Sequence, residues 1–216
     1  TLYDQTSPGI WEDRSRVGGV VESSFRPLGF GVQAVDLDND SQLELVVANG
    51  HVHHNAESGY AQHPQLLRRA ESGRFEAIPA NVLTSYFRER HVGRALFVLD
   101  FDRDHLLDLV VTHQHESTAL LRNDTPQADR NHWLRIRLVG IDSARDAVGS
   151  LVTVACGETR RCAAVVAGDG FFCSGDQWLH FGFGPSASNA DVRITVKWPT
   201  GESRAYQTSV DHECLI

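Results

Sequence analysis

The feature that most constrains this sequence is a nine-residue acidic stretch that occurs twice, at residues 36–44 and 100–108. Each copy carries carboxylates at its first, third, fifth and ninth positions and leads into an apolar segment that predicts a strand. Carboxylates this close together repel one another unless a cation neutralises them. The repeated spacing therefore predicts a site for a hard divalent cation with oxygen ligands, Ca²⁺ above all.

The predicted ligands are the alternating acids of each stretch and one backbone carbonyl between them. They are Asp36, Asp38, Asp40, Gln42 (carbonyl) and Glu44 in the first stretch, and Asp100, Asp102, Asp104, Leu106 (carbonyl) and Asp108 in the second. The alternative is a pair of solvated acidic hairpin turns, which a single copy would not exclude. The second copy in the same register favours the metal.

The acidity of the chain is concentrated in these two stretches. The formal net charge is −8, from 28 acidic and 20 basic residues, and the stretches hold eight of the acids and one base, Arg103. The remainder is nearly neutral, with 20 acids and 19 bases (28 − 8 = 20; 20 − 1 = 19). Because no basic stripe is available for phosphates, no nucleic-acid partner is predicted.

Apolar runs are too short for a membrane span of roughly 18–20 residues. We expect a mature or excised piece without a leader peptide.

Short strands separated by turn residues predict an all-β fold. The order of these strands repeats with an offset of 64 residues, since Asp100 corresponds to Asp36 (100 − 36 = 64) and Phe75 to Trp11 (75 − 11 = 64). Such a repeat is typical of propeller blades, but two blades are too few for a ring of about 4–8. We therefore expect the remaining blades to lie outside this chain or to come from another chain.

A change of pattern divides the chain into two predicted domains. Residues 123–131 are polar and contain a proline, as in a linker, and the repeat stops after them. We assign residues 1–126 to the blade region and residues 127–216 to a small C-terminal β domain. One weak helical segment is predicted at residues 82–89. The main predicted strands cover residues 31–35, 45–49, 95–99, 109–113, 133–139, 150–155, 162–167, 178–181, 192–198 and 204–206.

The four cysteines leave two interpretations open. Cys156 and Cys162 flank a turn at residues 157–160 and could face each other across a hairpin, which would leave Cys173 and Cys214 as a second pair. Disulfides would indicate an oxidising compartment. Four free thiols are the alternative. A zinc site is not predicted from these cysteines, because none of them forms a CxxC motif.

Several short motifs together resemble bacterial proteins that join FG-GAP/VCBS-type repeats to a C-terminal ASPIC/UnbV domain, a group similar to the cartilage acidic proteins of animals. On the repeat side the resemblance rests on residues 36–44 followed by Ala-Asn-Gly-His-Val at 48–52, and on residues 95–108 followed by Leu-Leu-Arg-Asn at 120–123. On the C-terminal side it rests on residues 131–134 (Asn-His-Trp-Leu), 145–149, 168–171, 180–184 (His-Phe-Gly-Phe-Gly) and 198–201 (Trp-Pro-Thr-Gly).

The resemblance implies propeller-type blades with Ca²⁺ in the acidic stretches, a small β-sandwich-like C-terminal domain, and a secreted, periplasmic or cell-surface setting. This sequence departs from the pattern where the family usually has glycine after the third aspartate, since Ser41 and His105 stand there. If φ is positive at these positions, a non-glycine residue costs about 1–2 kcal/mol. Glu44 also replaces the usual ninth aspartate. We therefore expect either weaker metal binding at both sites than the family pattern implies, or one site that no longer binds metal.

The sequence favours a non-catalytic, calcium-binding module for protein or glycan contacts, as part of a larger propeller protein. The alternative is a natural-product biosynthesis enzyme of the UnbV-like type, with a pocket near residues 51–54.

His51, His53 and His54, with His63 and His91 nearby, could hold Zn²⁺, Cu²⁺ or Ni²⁺, although a structural role is the simpler interpretation. The candidate catalytic residues of such an enzyme are His51, His53, His91 and Arg94. No GxSxG motif supports serine catalysis. Cys173 with His180 as a nucleophile pair is disfavoured, because an isolated cysteine in a β-rich domain is more often buried or disulfide-bonded.

Overall fold

Antiparallel sheets of short strands organise the chain. The structure is a computed structural model that describes residues 1–126 and 128–216. The N-terminal region contains β1 (Tyr3–Ser7), β2 (Ile10–Asp13), α1 (Val20–Ser24), β3 (Gly29–Val35), β4 (Glu44–Asn49), β5 (Gln65–Arg69), β6 (Phe75–Ala77), α2 (Ser85–Arg88), β7 (Gly93–Leu99), β8 (Asp108–His113) and β9 (Ala119–Leu121). The C-terminal region contains β10 (His132–Arg137), β11 (Leu151–Cys156), β12 (Thr159–Ala164), β13 (Leu179–Gly184), β14 (Asp191–Lys197), β15 (Ser203–Ser209) and β16 (His212–Leu215).

Two sheets and a hairpin carry the repeat in the N-terminal region. The sheet orders are β3-β4-β5-β6 and β7-β8-β9, and β1 pairs with β2. The 64-residue offset is visible in the strands, because β7 begins 64 residues after β3 (93 − 29 = 64) and β8 begins 64 residues after β4 (108 − 44 = 64). Strands β3 and β7 lie side by side, and a Cβ at Gly31 would come within 2.6 Å of the Leu96 backbone nitrogen. Glycine at position 31 therefore permits this close approach.

The core of the N-terminal region lies between these two sheets. Side chains of β3 and β4 alternate between the core and the outer face, as expected for half-buried strands. The buried cluster consists of Val35, Leu37, Val46, Ala48, Leu66, Phe87, Leu96, Leu109 and Val111.

The C-terminal region is a pair of sheets around one core. Strand β10 lies between β13, which is antiparallel to it, and β16, which is parallel. The second sheet has the order β12-β11-β14-β15. Both sheets contribute to a single buried cluster, with Leu134 and Ile136 from β10, Phe181 from β13, Val154 from β11 and Ile194 from β14. This arrangement matches the predicted sandwich-like domain.

The predicted all-β class is confirmed, and several details differ. None of the sheets formed by the described residues closes on itself, so the propeller ring remains a prediction. The predicted domain boundary, between residues 126 and 127, remains untested, and residue 127 lies outside the described residues. The predicted helix 82–89 is reduced to α2, and α1 lies in a polar stretch without helical periodicity. No strand was predicted at β16, which is exposed and depends on its pairing with β10.

All four cysteines are free thiols among the described residues. Of the two interpretations of the cysteines, the pairing of Cys156 with Cys162 does not hold, because the β11–β12 register places Cys156 opposite Thr159 and Cys162 opposite Thr153. Within the same described residues, none of the helices has the length and apolar character needed to cross a membrane.

Candidate metal centre

The first acidic loop (residues 36–44) connects β3 to β4, and the second acidic loop (residues 100–108) connects β7 to β8. Both loops have the same backbone conformation, with left-handed residues at the fourth and sixth positions. These are Asn39 (φ 60°) and Ser41 (φ 78°) in the first loop, and Arg103 (φ 62°) and His105 (φ 70°) in the second. Positive φ is therefore present at Ser41 and His105, where a non-glycine residue costs about 1–2 kcal/mol.

Three hydrogen bonds from backbone N–H groups to carboxylates recur in both loops. The first acid accepts from the sixth residue, the ninth acid from the second, and the fifth acid from the seventh. The donor–acceptor distances in the first loop are 2.9 Å (Ser41 to Asp36), 3.1 Å (Leu37 to Glu44) and 2.7 Å (Gln42 to Asp40). In the second loop they are 3.3 Å (His105 to Asp100), 2.8 Å (Phe101 to Asp108) and 3.0 Å (Leu106 to Asp104). The acids thus shape their own loop, whatever else they bind.

The first acidic loop contains carboxylates without an ion-pair partner among the described residues, although the positive charge of Arg68 partly opposes the rise in the pKa of Asp38 and Glu44. Asp36 and Glu44 are buried, and burial raises the pKa of each to about 7, with the neighbouring carboxylates adding to the rise. Burial also raises the pKa of Asp38. Within the described residues, none of these acids forms an ion pair, and Asp36 Oδ1 is buried without a hydrogen-bond partner. An unsatisfied carboxylate oxygen of this kind is costly unless a cation binds it.

The second acidic loop has cations of its own. Arg122 contacts Asp102 at 2.6 Å and Asp104 at 3.3 Å. The hydrogen bond from Arg122 lowers the pKa of Asp102. Arg135, a buried side chain of β10, donates to Asp100 Oδ2 at 2.8 Å and also contacts Glu213 and Asp176. Burial raises the pKa of Asp100 even though Arg135 opposes the rise. Protein side chains therefore neutralise much of this loop, although Asp100 Oδ1, like Asp36 Oδ1 in the first loop, is buried without a hydrogen-bond partner.

The C-terminal domain packs directly on the first acidic loop. Asn131 donates to the carbonyl of Asp38 at 2.6 Å, and His180 contacts the side-chain oxygen of Asn39 at 2.6 Å. Burial lowers the pKa of His180 to about 3, with the charges of Arg135 and His105 adding to the effect, so the ring is neutral near pH 7. A Cβ at Gly182 would lie 2.2 Å from Asp36 Oδ2. Glycine in the His-Phe-Gly-Phe-Gly motif therefore permits β13 to approach the loop.

The same domain also covers the second acidic loop. The ring of His105 stacks on Trp133, with centroids 3.9 Å apart. Asn39 donates to the carbonyl of His105 at 3.2 Å, and Asn123 donates to the carbonyls of Leu37 and Leu107. The two loops are thus in contact with each other, and the same C-terminal sheets pack on both. Asn131, Trp133 and Gly182 belong to the family motifs of the sequence, but no local signal in the sequence assigns them to the loops.

The predicted ligands converge in part. One carboxylate oxygen from each of Asp36, Asp38 and Asp40 lies within 4.8 Å of the others, and the same holds for Asp100, Asp102 and Asp108. Oxygen ligands of Ca²⁺ lie about 2.3–2.6 Å from the ion and can be up to about 5 Å apart. The spacing within each set therefore allows each loop to bind an ion of its own. The ninth acid of the first loop, Glu44, and the fifth of the second, Asp104, lie outside these sets. The backbone N–H groups of Gln42 and Leu106 already bind the fifth acids, and their carbonyls remain predicted ligands.

The predicted histidine segment lies elsewhere. Residues 51–58 line an open cavity of about 1040 Å³ together with Arg26. His51 Nδ1 accepts from the backbone N–H of His53, and His54 stacks on Tyr60. Arg94 reaches the carbonyl of His51 at 3.1 Å. Local structural roles thus account for these contacts, and no reaction is assigned to the cavity. Cys173 and His180 also have separate environments: the thiol contacts the carbonyls of Leu96 and Asp169.

The described residues form an all-β protein in which the two C-terminal sheets pack on two acidic loops. In agreement, the family model for ASPIC and UnbV matches residues 140–216. The match begins after β10, so the FG-GAP/VCBS-type repeats remain a prediction from the sequence.

Curated relatives extend the similarity into the N-terminal region. The chain is similar to Cartilage acidic protein 1 of Mus musculus and of Homo sapiens, each 28% identical over 177 residues, which are 79% of this chain and 25% of the relative. The protein of the same name from Xenopus tropicalis is 30% identical over 176 residues, again 79% of this chain and 25% of the relative. The chain thus spans about a quarter of the length of these relatives.

Proposed function

We propose that this chain is a calcium-binding, non-catalytic module of a larger propeller-type protein, and that it offers a surface for protein or glycan contacts. The role of the metal is structural. An ion in the first acidic loop would hold the adjoining ends of β3 and β4 together. Because Asn131 and His180 contact the same loop, the ion would also stabilise the contact between this loop and the C-terminal sandwich.

The observation that carries this proposal is the charge state of the first acidic loop. Three carboxylates converge within 4.8 Å, one buried oxygen of Asp36 lacks a partner, and the described residues provide these acids with no ion pair. Solvated acidic turns would show exposed acids with ordinary pKa values. Burial instead raises the pKa of Asp36 and Glu44, which makes the metal-free, ionised loop unfavourable.

A secreted, periplasmic or cell-surface setting is part of the proposal. Extracellular modules bind Ca²⁺ with dissociation constants of about 10⁻⁴–10⁻³ M, and the non-glycine residue at Ser41 favours weak binding of this kind. The relatives named for cartilage agree with such a setting. The exposed apolar side chains of the β1–β2 hairpin, Tyr3, Ile10 and Trp11, support contacts with further blades or another chain.

Calorimetric titration with Ca²⁺ tests the proposal, together with thermal unfolding in Ca²⁺ and in chelator. We expect binding heat and a higher melting temperature, because an ion at 100 times its dissociation constant stabilises the folded state by about 2.7 kcal/mol. An absence of heat together with an unchanged melting temperature would refute it. The matched variants are Asp38→Asn/Asp40→Asn in the first loop, which should abolish the main binding event, and Asp102→Asn/Asp104→Asn in the second, which should leave it.

A further inference from the structure

A second cluster of metal-type ligands lies outside the acidic loops, at the opposite end of β8. His91 precedes β7, His113 is the last residue of β8, and Glu116 follows in the turn to β9. One ring nitrogen of each histidine and one carboxylate oxygen of Glu116 lie within 4.8 Å of one another. We propose that His91, His113 and Glu116 form a binding site for a borderline divalent transition metal such as Zn²⁺, with a further position open to solvent.

Backbone carbonyl groups fix the tautomer of both imidazole rings. His91 Nε2 lies 3.1 Å from the carbonyl oxygen of Tyr86, and His113 Nδ1 lies 2.8 Å from that of Ser117. A carbonyl oxygen only accepts, so each of these nitrogens carries a hydrogen. The lone pairs of neutral rings are therefore on His91 Nδ1 and His113 Nε2. Histidines that bind metals usually donate their other ring N–H to a carbonyl or carboxylate in this way.

The contact between His91 and Glu116 requires a positive charge. His91 Nδ1 and Glu116 Oε2 are 2.6 Å apart, and both carry lone pairs when the ring is neutral and the acid ionised. A proton shared by the two groups accounts for this short contact, and a metal ion bound to both would replace the proton once the atoms separate to roughly 3.3–3.6 Å. Metal binding would release that proton to solvent, and the Tyr86 hydroxyl, 2.9 Å from His113 Nε2, would turn towards water or a metal-bound water.

The ligand set and its surroundings suit zinc better than calcium. Two imidazole nitrogens and one carboxylate are a known zinc set that keeps a position open for water. With tetrahedral bonds of about 2.0–2.2 Å, donor atoms around zinc lie roughly 3.3–3.6 Å apart. The group, whose donor atoms lie within 4.8 Å of one another, must therefore close, while His91 Nδ1 and Glu116 Oε2 must separate from 2.6 Å. The His91 side chain is 9% exposed whereas that of Glu116 is 43% exposed, so the site is anchored on one side and accessible on the other.

This site is independent of the acidic loops. Strand β8 runs from Asp108, in the second acidic loop, to His113, and its six residues separate the two ends by roughly 17 Å. Its nitrogen ligands also distinguish it chemically from the all-oxygen acidic loops, because imidazole prefers transition metals and carboxylates prefer Ca²⁺. Saturating Ca²⁺ can therefore occupy the loops while zinc is titrated separately.

The test is a calorimetric titration of the full chain with ZnCl₂ in saturating CaCl₂. We expect one zinc ion per chain in the wild type, and an affinity at least tenfold lower in His113→Gln and in Glu116→Gln. His115→Gln is the matched control, since His115 is adjacent in sequence but contacts Tyr60 instead, and its zinc affinity should equal that of the wild type. Circular dichroism of each variant identifies any that fails to fold.

Imidazole ¹⁵N chemical shifts provide a readout that does not depend on the variants. Zinc should shift His91 Nδ1 and His113 Nε2 while the opposite nitrogens keep their protons. Failure of the wild type to bind zinc more tightly than His113→Gln would overturn the proposal. So would equal loss of affinity in His115→Gln, or a His91 ring that stays doubly protonated at saturating zinc.

Discussion

The two acidic loops have the same backbone and different charge environments. Both place left-handed residues at the fourth and sixth positions, and both use the same three N–H bonds to their own carboxylates. In the second loop Arg122 and Arg135 contact three of the four acids, whereas within the described residues the first loop has no such pairs. Equal spacing therefore produces equal geometry without producing equal affinity for a cation.

The difference shows what a cation would do in each place. Bound Ca²⁺ in the first loop would neutralise Asp36, Asp38 and Asp40, which otherwise repel one another in a largely buried position. In the second loop it would compete with Arg135 for Asp100. We therefore expect the first loop to bind Ca²⁺ more tightly, although the second keeps the aspartate at position nine that the family pattern prefers.

Removing Arg135 should have the largest effect on this comparison. Arg135→Met leaves Asp100 buried without its partner, so we expect the free energy of unfolding to fall by about 3–5 kcal/mol without Ca²⁺. Ca²⁺ should recover part of the loss, because the second loop would then resemble the first. Urea unfolding with and without Ca²⁺ measures both effects. Arg204→Met, which breaks an exposed pair with Glu202, should change stability little, and an equal loss there would contradict the role of Arg135.

Adding one carbon at Gly182 should disturb the first loop selectively. The Cβ of Gly182→Ala would meet Asp36 Oδ2 at 2.2 Å and Asn39 Cα at 2.6 Å, so the strand or the loop must shift. We expect a loss of about 1–3 kcal/mol in stability and weaker Ca²⁺ binding, measured by urea unfolding and calorimetry. Gly175→Ala is the control, because its nearest neighbour would be 3.8 Å away. Unchanged Ca²⁺ affinity in Gly182→Ala would place the metal outside the first loop.

The pH dependence of stability should separate the loops with a smaller effect. In the metal-free protein Asp36 and Glu44 have pKa values raised to about 7, from ordinary values of 3.8 and 4.5, so between these limits the folded state binds more protons than the unfolded chain. Stability therefore falls as the pH rises from about 4 to 7. We expect a loss on the order of 1–2 kcal/mol between pH 5 and 7.5 in chelator, measured by urea unfolding.

Ca²⁺ should remove this dependence, because it binds the ionised loop and displaces the protons. The variant Asp36→Asn/Glu44→Gln should lose this part of the dependence without Ca²⁺. The contrary result is a free energy of unfolding that rises from pH 5 to 7.5 in chelator by the same amount in the wild type and in the variant. It would show that these two acids titrate normally.

Much of the fold and part of the site could be predicted from local patterns. Strands with clear alternation, such as β14, and the turn at residues 198–201, where Gly201 N–H bonds the carbonyl of Trp198 at 2.9 Å, follow from short-range rules. Strand β16 could not be predicted in this way, because it forms by parallel pairing with β10. The supposed linker likewise proved to hold Asn123 and Asn131, which bind the loops.

The sequence by itself determined the shape of the acidic loops, and it predicts the class of ion that they would bind. The reason is local: carboxylates at alternating positions bind N–H groups within the same nine residues, and their oxygens then point to a common centre. Only the tertiary structure decided which loop has arginine side chains in direct contact with its acids. Arg135 belongs to β10, 35 residues after Asp100, and reaches it only because the C-terminal sandwich packs on both loops. Charge balance in a buried site depends on such distant neighbours, since at short range and low dielectric each one counts strongly.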